Sequence, residues 1–338
     1  MGNGYLQLQC VFSCWNEETG IVTKRRPERD FVEQAKMFCQ CLSSVNLIPS
    51  FPQHRAEIHY AKEHRCVIKI IGPSLSDEIS GTDPTKDPMP IVICVPSSNS
   101  DDAILTCQIV NELHMSIWRI LKAHPVNIDR QKRGEPPVNV CLLRGCSMAI
   151  NVPSFEAQHG LKALLIAPTP IIAGIGKTVG LSLLKAPGAT GTLDTDMFSK
   201  AKVAMDALFT NSFDMAVIHI KCVDDCGHDG DAEGKINALQ RVDDMVKWIL
   251  NYPEIESGEH IIAVTGDHST PINVSDHTSE PVPFVVSLTK GSLKGHPTLF
   301  DEVSCSSGVL GRFVGSSVMT ILKNLRTNYQ ALQNPQPD

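Results

Sequence analysis

A chain of 338 residues is long enough for one large domain or two ordinary ones, and 42% hydrophobic with 20% charged residues is a globular composition. The formal net charge of -7, with no basic tract longer than KRRPER, argues against nucleic-acid binding. We recognise neither a long apolar span nor a signal peptide, so we expect a cytoplasmic protein with no membrane partner.

The first half of the chain reads as mixed α+β. QLQCVFSCW alternates like a strand, AEIHYAKEHRCVIKIIG reads as a strand pair and MPIVICVPS as a further strand. DFVEQAKMFCQCLSSV has the pattern of an amphipathic helix. The clearest helix is SNSDDAILTCQIVNELHMSIWRILKAH, which has a capping residue, acids in its first turn and apolar residues at Ile104, Cys107, Leu113, Ile117 and Leu121. We predict an α+β domain over residues 1–160.

The pattern of apolar and polar residues changes in the second half of the chain. LKALLIAPTP, VGLSLLKAP, DMAVIHI, HIIAVTG and VPFVVSL are short β-rich runs without strict alternation, as expected of strands covered on both faces. Helical segments lie between them, namely TDMFSKAKVAMDALFTN, GKINALQRVDDMVKWILN and, later, VGSSVMTILKNL. Alternating strands and helices predict a doubly wound α/β domain over residues 161–330. Residues 331–338, which include NPQPD, are predicted to be a disordered tail.

Twelve cysteines are scattered along the chain, and none of them forms a CxxC pair. We therefore predict reduced thiols, many of them buried, rather than a disulfide framework. A cysteine zinc site would need thiolates paired at closer spacing.

Acidic residues and histidines cluster at the ends of three predicted strand segments. They are Asp224, Asp225, His228 and Asp229 after DMAVIHIK, Asp267 and His268 after HIIAVTG, and His277 before VPFVV. In doubly wound sheets ligands gather at the carboxyl ends of the strands. Carboxylates and imidazoles without thiolates suit manganese, zinc or magnesium, and this number of ligands suits two ions, an arrangement typical of phosphoryl chemistry. Taken singly, the acidic segment also fits a solvated loop, and the Asp-His pair fits a turn or a helix cap.

Three segments carry a family resemblance. DDCGHDGD, TGDHSTP and DHTSEPVP, in that order, resemble the metal-binding segments of the cofactor-independent phosphoglycerate mutases, and of their archaeal-type branch above all. EHRCVIKIIGPSLSDEISGTDP, HPVNIDRQKRGEPPVNVCLLRG and KAPGATGTLDTD agree with it. The resemblance implies an α/β fold of the alkaline phosphatase superfamily, a doubly wound sheet with an inserted α+β domain that handles phosphoglycerate.

The resemblance also implies a ligand set. One divalent ion would take Asp224, His228 and His277, and the other would take Asp267 and His268. The ions would be manganese, or zinc or magnesium, and 2,3-bisphosphoglycerate would not be needed. In the family a nucleophilic serine on the second metal passes the phosphoryl group between the hydroxyls of 2- and 3-phosphoglycerate.

Basic residues complete the site that the resemblance implies, because arginines and a lysine hold the phosphate and the carboxylate. The candidates in this sequence are Arg25, Arg26, Arg65, Arg130, Arg133 and Arg144. Ala173 stands where the family often has a lysine before GIG, and Lys177 is the candidate replacement.

The family's first strand, which ends in Asp-Gly, and its nucleophilic serine segment have no counterpart in this sequence. We therefore expect no catalytic nucleophile, a gap in the α/β sheet and little mutase turnover from an N-terminally truncated member of a glycolytic and gluconeogenic lineage. Two alternatives stay open. One is another phosphomutase, phosphatase or sulfatase of the superfamily, and the other is a non-catalytic truncated paralogue.

Overall fold

The computed structural model describes residues 4–28, 31–210, 212–290 and 299–333. The chain divides into two units, which we call unit 1 (Met1–Asn151) and unit 2 (Val152–Asp338). This division lies earlier than the boundary we expected after residue 160. The segment between the two positions joins the second unit because the amide of Phe155 donates a hydrogen bond to the carbonyl of Val179.

Unit 1 combines an antiparallel sheet with three helices among its described residues. In chain order its elements are β1 (Tyr5–Asn16), β2 (Ile21–Lys24), α1 (Val32–Ser43), β3 (Arg55–Lys62), β4 (Arg65–Ile71), β5 (Met89–Pro90), α2 (Asp101–Lys122), α3 (Pro125–Lys132) and β6 (Val140–Met148). The sheet has the order β3-β4-β1-β2-β5, and β6 pairs with β1 as well. The long strand β1 is therefore paired along both edges, which places it in the middle of the sheet.

The core of unit 1 lies between this sheet and its helices. Helix α2 begins at the Ser100 cap, whose side chain accepts a hydrogen bond from the amide of Ala103. Leu113, Ile117 and Leu121 recur at helical spacing and are completely buried. Ile104, which the sequence pattern placed on the same stripe, is instead 43% exposed, because the buried face turns away from it near the start of the helix.

One predicted strand of unit 1 is much shorter than expected. Of MPIVICVPS, only Met89–Pro90 pairs with β2, and the residues that follow form no strand beyond an isolated bridge between Pro96 and Ile79. Ile93 is 69% exposed and Val95 53% exposed, so their apolar side chains do not contribute to the core. The apolar run misled the prediction because burial, not composition alone, decides whether a segment becomes a strand.

Unit 2 alternates short strands with helices. In chain order its elements are α4 (Phe155–His159), β7 (Ala163–Ile166), α5 (Pro170–Thr178), β8 (Ser182–Leu183), α6 (Met197–Thr210), β9 (Met215–Ile218), α7 (Cys222–Asp229), α8 (Ala232–Leu250), α9 (Pro253–Ser257), β10 (Ile261–Thr265), β11 (Phe284–Leu288), α10 (Glu302–Cys305), a 3-10 turn at Gly315–Ser317 and α11 (Val318–Gln333). The helices flank a parallel sheet, as in an α/β fold.

The strands of unit 2 form two sheets. A parallel sheet has the order β8-β7-β9, and β10 pairs antiparallel with β11 in a second sheet. Within the described part of unit 2, no strand ladder joins the two sheets. The antiparallel β10–β11 pair also departs from the purely parallel pairing that the strand-helix alternation suggested.

The end of the chain is more helical than the sequence indicated. Helix α11 extends to Gln333, so residues 331–333 of the predicted tail are helical. The remainder of that tail, residues 334–338, lies outside the described residues. Across the described ranges, no helix is both long and apolar enough to cross a membrane.

Candidate metal centre

The short helix α7 carries the first two candidate ligands. It begins shortly after strand β9 ends, with Asp224 in its first turn and His228 one turn later. Residues four apart lie on the same helix face, so both side chains point in one direction. The sequence suggested a loop here, but these residues form a helix that ends at Gly230, whose φ of 69° suits glycine.

Helix α7 lies against the segment that carries the other candidates. A Cβ placed on Gly227 would lie 2.4 Å from the carbonyl oxygen of Thr270, so only glycine permits this approach. The close approach brings Asp224 and His228 next to the 267–278 segment. Ser269 and Thr278 form an isolated antiparallel bridge that folds this segment back on itself.

Three donor groups face one another at this junction. The Nε2 atoms of His228 and His277 are 3.1 Å apart. The carboxylate of Asp224 lies between the rings, with Oδ2 3.4 Å from Nε2 of His228 and Oδ1 3.3 Å from Nε2 of His277. The structure therefore brings together all three residues that the sequence assigned to the first ion.

The two residues assigned to the second ion lie beside this trio. The ring of His268 is 3.7 Å, centroid to centroid, from that of His277, and its Nδ1 is 3.8 Å from Oδ1 of Asp224. The Nε2 atom of His268 is 3.4 Å from Oδ2 of Asp267. Potential ligand atoms of Asp224, His268 and His277 lie within 4.8 Å of one another, so Asp224 is shared between the two groups.

Two other acids of the DDCGHDGD segment do not join this group. Asp225 accepts a hydrogen bond from the ammonium group of Lys221 at 2.8 Å, and Asp229 is exposed at the end of α7. The family resemblance had already left both out of the ligand set.

Lys221 and Thr270 are site residues that the sequence did not reveal. The ammonium group of Lys221 also contacts Asp224, and the hydroxyl of Thr270 donates to Oδ1 of Asp224 at 2.5 Å. Burial raises the pKa of Asp224, but the hydrogen bonds from Lys221 and Thr270 outweigh it and lower the pKa to about 2. Asp224 is therefore an anion at neutral pH, the form that coordinates metal.

The geometry fits a divalent cation. Tetrahedral bonds of about 2.1 Å to nitrogen and oxygen place neighbouring donors about 3.4 Å apart. The two Nε2 atoms are 3.1 Å apart, and each lies near a different oxygen of the Asp224 carboxylate, that of His277 3.3 Å from Oδ1 and that of His228 3.4 Å from Oδ2. Two imidazole nitrogens that face each other at such a distance need a proton or a cation between them. The carboxylate and imidazole donors suit manganese, zinc or magnesium, as the residue types predicted.

Two serines near the ligands, Ser269 and Ser275, use their hydroxyls in hydrogen bonds to backbone carbonyls. Ser269 donates to the carbonyl of Glu280 at 3.5 Å, and Ser275 donates to that of Ile272 at 3.3 Å. The carbonyl of Ser275 in turn lies 3.1 Å from Nδ1 of His228. That contact favours the tautomer of His228 whose Nε2 lone pair faces Asp224 and His277.

Two of the candidate arginines in unit 1 meet at one carboxylate. Arg25 forms two hydrogen bonds to Asp83, of 2.9 and 2.7 Å, and the guanidinium of Arg144 is 3.6 Å from the same side chain. The carboxylate of Asp87 lies beside them and accepts a hydrogen bond from the amide of Arg25 at 2.8 Å. Arg26 and Arg65 are exposed.

Arg130 and Arg133 are held by acidic partners. Arg130 is only 3% exposed, and two of its nitrogens donate to Glu28 at 3.0 and 2.7 Å. Arg133 pairs with Asp129 and with Glu135, at 2.9 Å to the latter. The guanidinium of Arg130 is therefore buried and held by two bonds to one carboxylate.

The candidate lysine of unit 2 lies on α5. Lys177 follows Ala173 by one helical turn, which places the two on the same helix face, and Lys177 is exposed.

Comparison with known proteins agrees with this geometry. A family model described as "2,3-bisphosphoglycerate-independent phosphoglycerate mutase" matches residues 1–127, and one described as "Metalloenzyme superfamily" matches residues 98–325. The 2,3-bisphosphoglycerate-independent phosphoglycerate mutase of Methanopyrus kandleri is 33% identical over 325 residues, which cover 95% of this chain and 75% of the relative. That of Methanococcus aeolicus is 37% identical over 322 residues, covering 95% and 76%.

Solved structures show the same likeness. The cofactor-independent phosphoglycerate mutase of Thermoplasma acidophilum superposes with a TM-score of 0.71 at 25% identity, covering 96% of this chain and 77% of that one. A protein from Pyrococcus horikoshii shares the fold, with a TM-score of 0.74 at 24% identity. On the matches of both halves and the length of the shared sequence, the chain belongs to the 2,3-bisphosphoglycerate-independent phosphoglycerate mutase family of isomerases, within the metalloenzyme superfamily.

Proposed function

We propose that this chain handles 2- and 3-phosphoglycerate at the metal centre of unit 2, in the glycolytic and gluconeogenic step that its relatives' name describes. The observation that carries the proposal is the convergence of Asp224, His228 and His277, with donor atoms 3.1 to 3.4 Å apart. A site built from one carboxylate and two imidazoles, in a member of this family, is suited to phosphoryl transfer.

The proposed centre holds two divalent ions, manganese or else zinc or magnesium. Asp224, His228 and His277 would hold the first, and Asp267 and His268 would hold the second. Such ions neutralise the charge of a phosphoryl group and favour ionisation of a hydroxyl bound to them. The centre needs no 2,3-bisphosphoglycerate.

Residues around the ligands keep the donors in place. Thr270 holds one oxygen of Asp224, while the carbonyl of Ser275 fixes the ring of His228. Lys221 forms ion pairs with both Asp224 and Asp225 through its ammonium group. A cation that binds Asp224 competes with Lys221, so Lys221 becomes available to a bound anion when the metal is present.

Arginines of unit 1 are proposed to bind the substrate anions. The side chain of Arg144 is 40% exposed and lies 3.6 Å from Asp83, so it is open to a carboxylate or a phosphate, and Arg25 lies beside it on the same carboxylate. Arg26 and Arg65 are candidates for the same role. Arg130 is almost fully buried and Arg133 lies between two acids, Asp129 and Glu135, so we propose neither as an anion-binding residue.

We further propose that the 338-residue chain turns phosphoglycerate over slowly. In the phosphoserine route that the resemblance implies, a serine must present its hydroxyl to the metal. The hydroxyls of Ser269 and Ser275 instead donate to backbone carbonyls. Loss of a nucleophile typically costs several powers of ten in rate, with some residual catalysis from binding and electrostatics.

Calorimetry with 3-phosphoglycerate, with and without Mn²⁺, tests the binding part of the proposal. We expect metal-dependent binding that Arg144→Gln weakens and Arg133→Gln leaves unchanged, since only Arg144 belongs to the proposed anion site. An absence of binding with Mn²⁺ present, or equal losses in the two variants, contradicts the proposal.

A rate measurement tests the proposed slow turnover separately from substrate binding. Conversion of 3- to 2-phosphoglycerate with Mn²⁺ should be far below the ~10 s⁻¹ that is typical of enzymes. Turnover near that rate would show that one of the chain's own residues is the nucleophile. Faster hydrolysis of p-nitrophenyl phosphate than isomerisation would assign the chain to the phosphatases of the superfamily instead.

A further inference from the structure

Four cysteines from four different elements meet in the core of unit 1. Cys10 lies on β1, Cys39 on α1, Cys66 on β4 and Cys141 on β6. The Sγ atoms of Cys10, Cys66 and Cys141 all lie within 4.8 Å of one another. Cys39 is buried in the same core, with its thiol next to that of Cys66. We call these four residues the thiol cluster.

The strand register explains why the three strand cysteines converge. Cys10 lies directly opposite Cys66 in the antiparallel β1–β4 pair. In the β1–β6 pair Cys10 is opposite Leu143, so Cys141 is its diagonal neighbour two residues along β6. Direct and diagonal neighbours of this kind share one face of the sheet, and their side chains reach one another.

We propose that the thiol cluster is a structural site for a thiophilic divalent ion, Zn²⁺ in the first instance. Tetrahedral zinc–sulfur bonds of about 2.3 Å place the sulfurs about 3.8 Å apart. The three mutually close sulfurs are already within 4.8 Å, so a closure of about 1 Å brings them to that geometry. The all-sulfur donor set selects soft ions and differs from the carboxylate and imidazole set of unit 2.

The depth of the cluster sets how the ion enters. Cys10 is 1% exposed, Cys39 5%, Cys66 1% and Cys141 0%. An ion therefore binds while the chain folds around it, and chelators remove it slowly from the folded protein. Each thiol that ligates as a thiolate gives its proton to solvent as its metal–sulfur bond forms.

A second thiol pair in the same unit provides the control. The Sγ atoms of Cys94 and Cys107 are 3.5 Å apart and both residues are buried. Among the residues that the structure describes, no third ligand atom completes this pair within the distance that defines the cluster. A buried cysteine here contributes packing as a small apolar side chain, which is also the rival explanation for the thiol cluster.

Cadmium is the probe, because cadmium–thiolate bonds absorb in the near ultraviolet and bonds to carboxylate or imidazole do not. The full chain is refolded under reducing conditions with Cd²⁺ alone. We expect a charge-transfer band that saturates at a single ion per chain and that persists in His228→Ala, since the centre of unit 2 contains no thiol ligand. Wild-type protein without such a band overturns the proposal, whatever the variants do.

Matched variants locate the site. Cys66→Ser, which removes the thiol in contact with the other three, should abolish the band, while Cys107→Ser should keep it at full intensity. Retention of the band in Cys66→Ser, or its loss in Cys107→Ser, contradicts the assignment. If Cys66→Ser does not fold, Cys39→Ser on α1 replaces it. Cys39→Ser should bind cadmium more weakly than the Cys107→Ser control does.

Discussion

Unit 1 and unit 2 bury their strands very differently. In unit 1 the central strand β1 pairs along both edges, and the residues of its middle stretch are mostly buried. Among the described strands of unit 2 only β7 is buried throughout, whereas every residue of β9 is half-exposed and β10 is half-exposed to exposed. One unit is closed around its sheet, and the other leaves strand surface in contact with solvent.

The functional groups follow the same division. The Asp and His residues of the metal centre lie beside the less buried strands of unit 2. The cysteines of the thiol cluster lie in the closed core of unit 1. Apolar packing stabilises a closed unit by itself. A unit with open strands and clustered charges gains more from a bound ligand, which stabilises the folded state by mass action.

The largest expected effect comes from the core of unit 1. Leu113 on α2 is completely buried, so Leu113→Ala should lower the free energy of unfolding by about 2–5 kcal/mol. Leu239→Ala on α8 of unit 2, where the side chain is 50% exposed, should change it by no more than about 0.5 kcal/mol. Chemical denaturation measures both free energies of unfolding, and equal losses would contradict the difference in burial between these two side chains.

Metal should stabilise unit 2. Mn²⁺ at about one hundred times its dissociation constant should add about 2.7 kcal/mol to the folded state, and His228→Ala should remove most of the resulting rise in melting temperature. Because a ligating histidine must be neutral, the rise should shrink in acid. His59→Ala, an exposed histidine of unit 1, is the control, and the same melting shift in both variants would indicate nonspecific binding.

A smaller effect tests the residue that supports Asp224. Thr270→Val removes the hydroxyl that donates to Oδ1 of Asp224, so it should weaken Mn²⁺ binding by about 10- to 100-fold. Thr178→Val removes a hydroxyl that bonds only within α5 and should leave the affinity unchanged. Titration calorimetry compares the two, and unchanged affinity in Thr270→Val would show that Asp224 keeps its position without this contact.

The smallest expected effect is on the stability of unit 1 at low pH. Burial alone would raise the pKa of Asp83, but hydrogen bonds from Arg25 and the Thr85 amide lower it below its ordinary value. A lowered folded-state pKa means that this stabilisation is present above the unfolded-state pKa of about 3.9 and is lost as the pH falls further. Asp83→Asn should flatten the acid limb of a stability–pH curve, and an unchanged limb would contradict the assignment.

The sequence predicted the features that local patterns determine. Helix α2 was recognisable from its cap and apolar spacing. Seven Asp and His candidates were recognisable from their positions beside strand ends, and the family resemblance selected five of them as ligands. The roles of Lys221 and Thr270 were not recognisable, because they depend on hydrogen bonds between segments distant in sequence. Helix α7 was missed because Gly and Asp residues weaken a helical pattern in so short an element.

Strand pairing could not be predicted from the sequence either. The separation of β10–β11 from the parallel sheet depends on which strands meet, and an apolar run does not encode its partner. The thiol cluster was hidden for the same reason. Its residues range from Cys10 to Cys141, and only the β4-β1-β6 register brings the strand cysteines together, although the lack of CxxC pairs had argued against a cysteine site.

The central claim is that Asp224, His228 and His277 hold a divalent ion. Anomalous diffraction from crystals grown with Mn²⁺ tests it most directly, because it locates manganese without reference to activity. We predict a peak within bonding distance of the Asp224 carboxylate and of Nε2 of both His228 and His277, and its loss in His277→Ala crystals. A manganese peak elsewhere, or none with the three side chains in their present positions, would contradict the account.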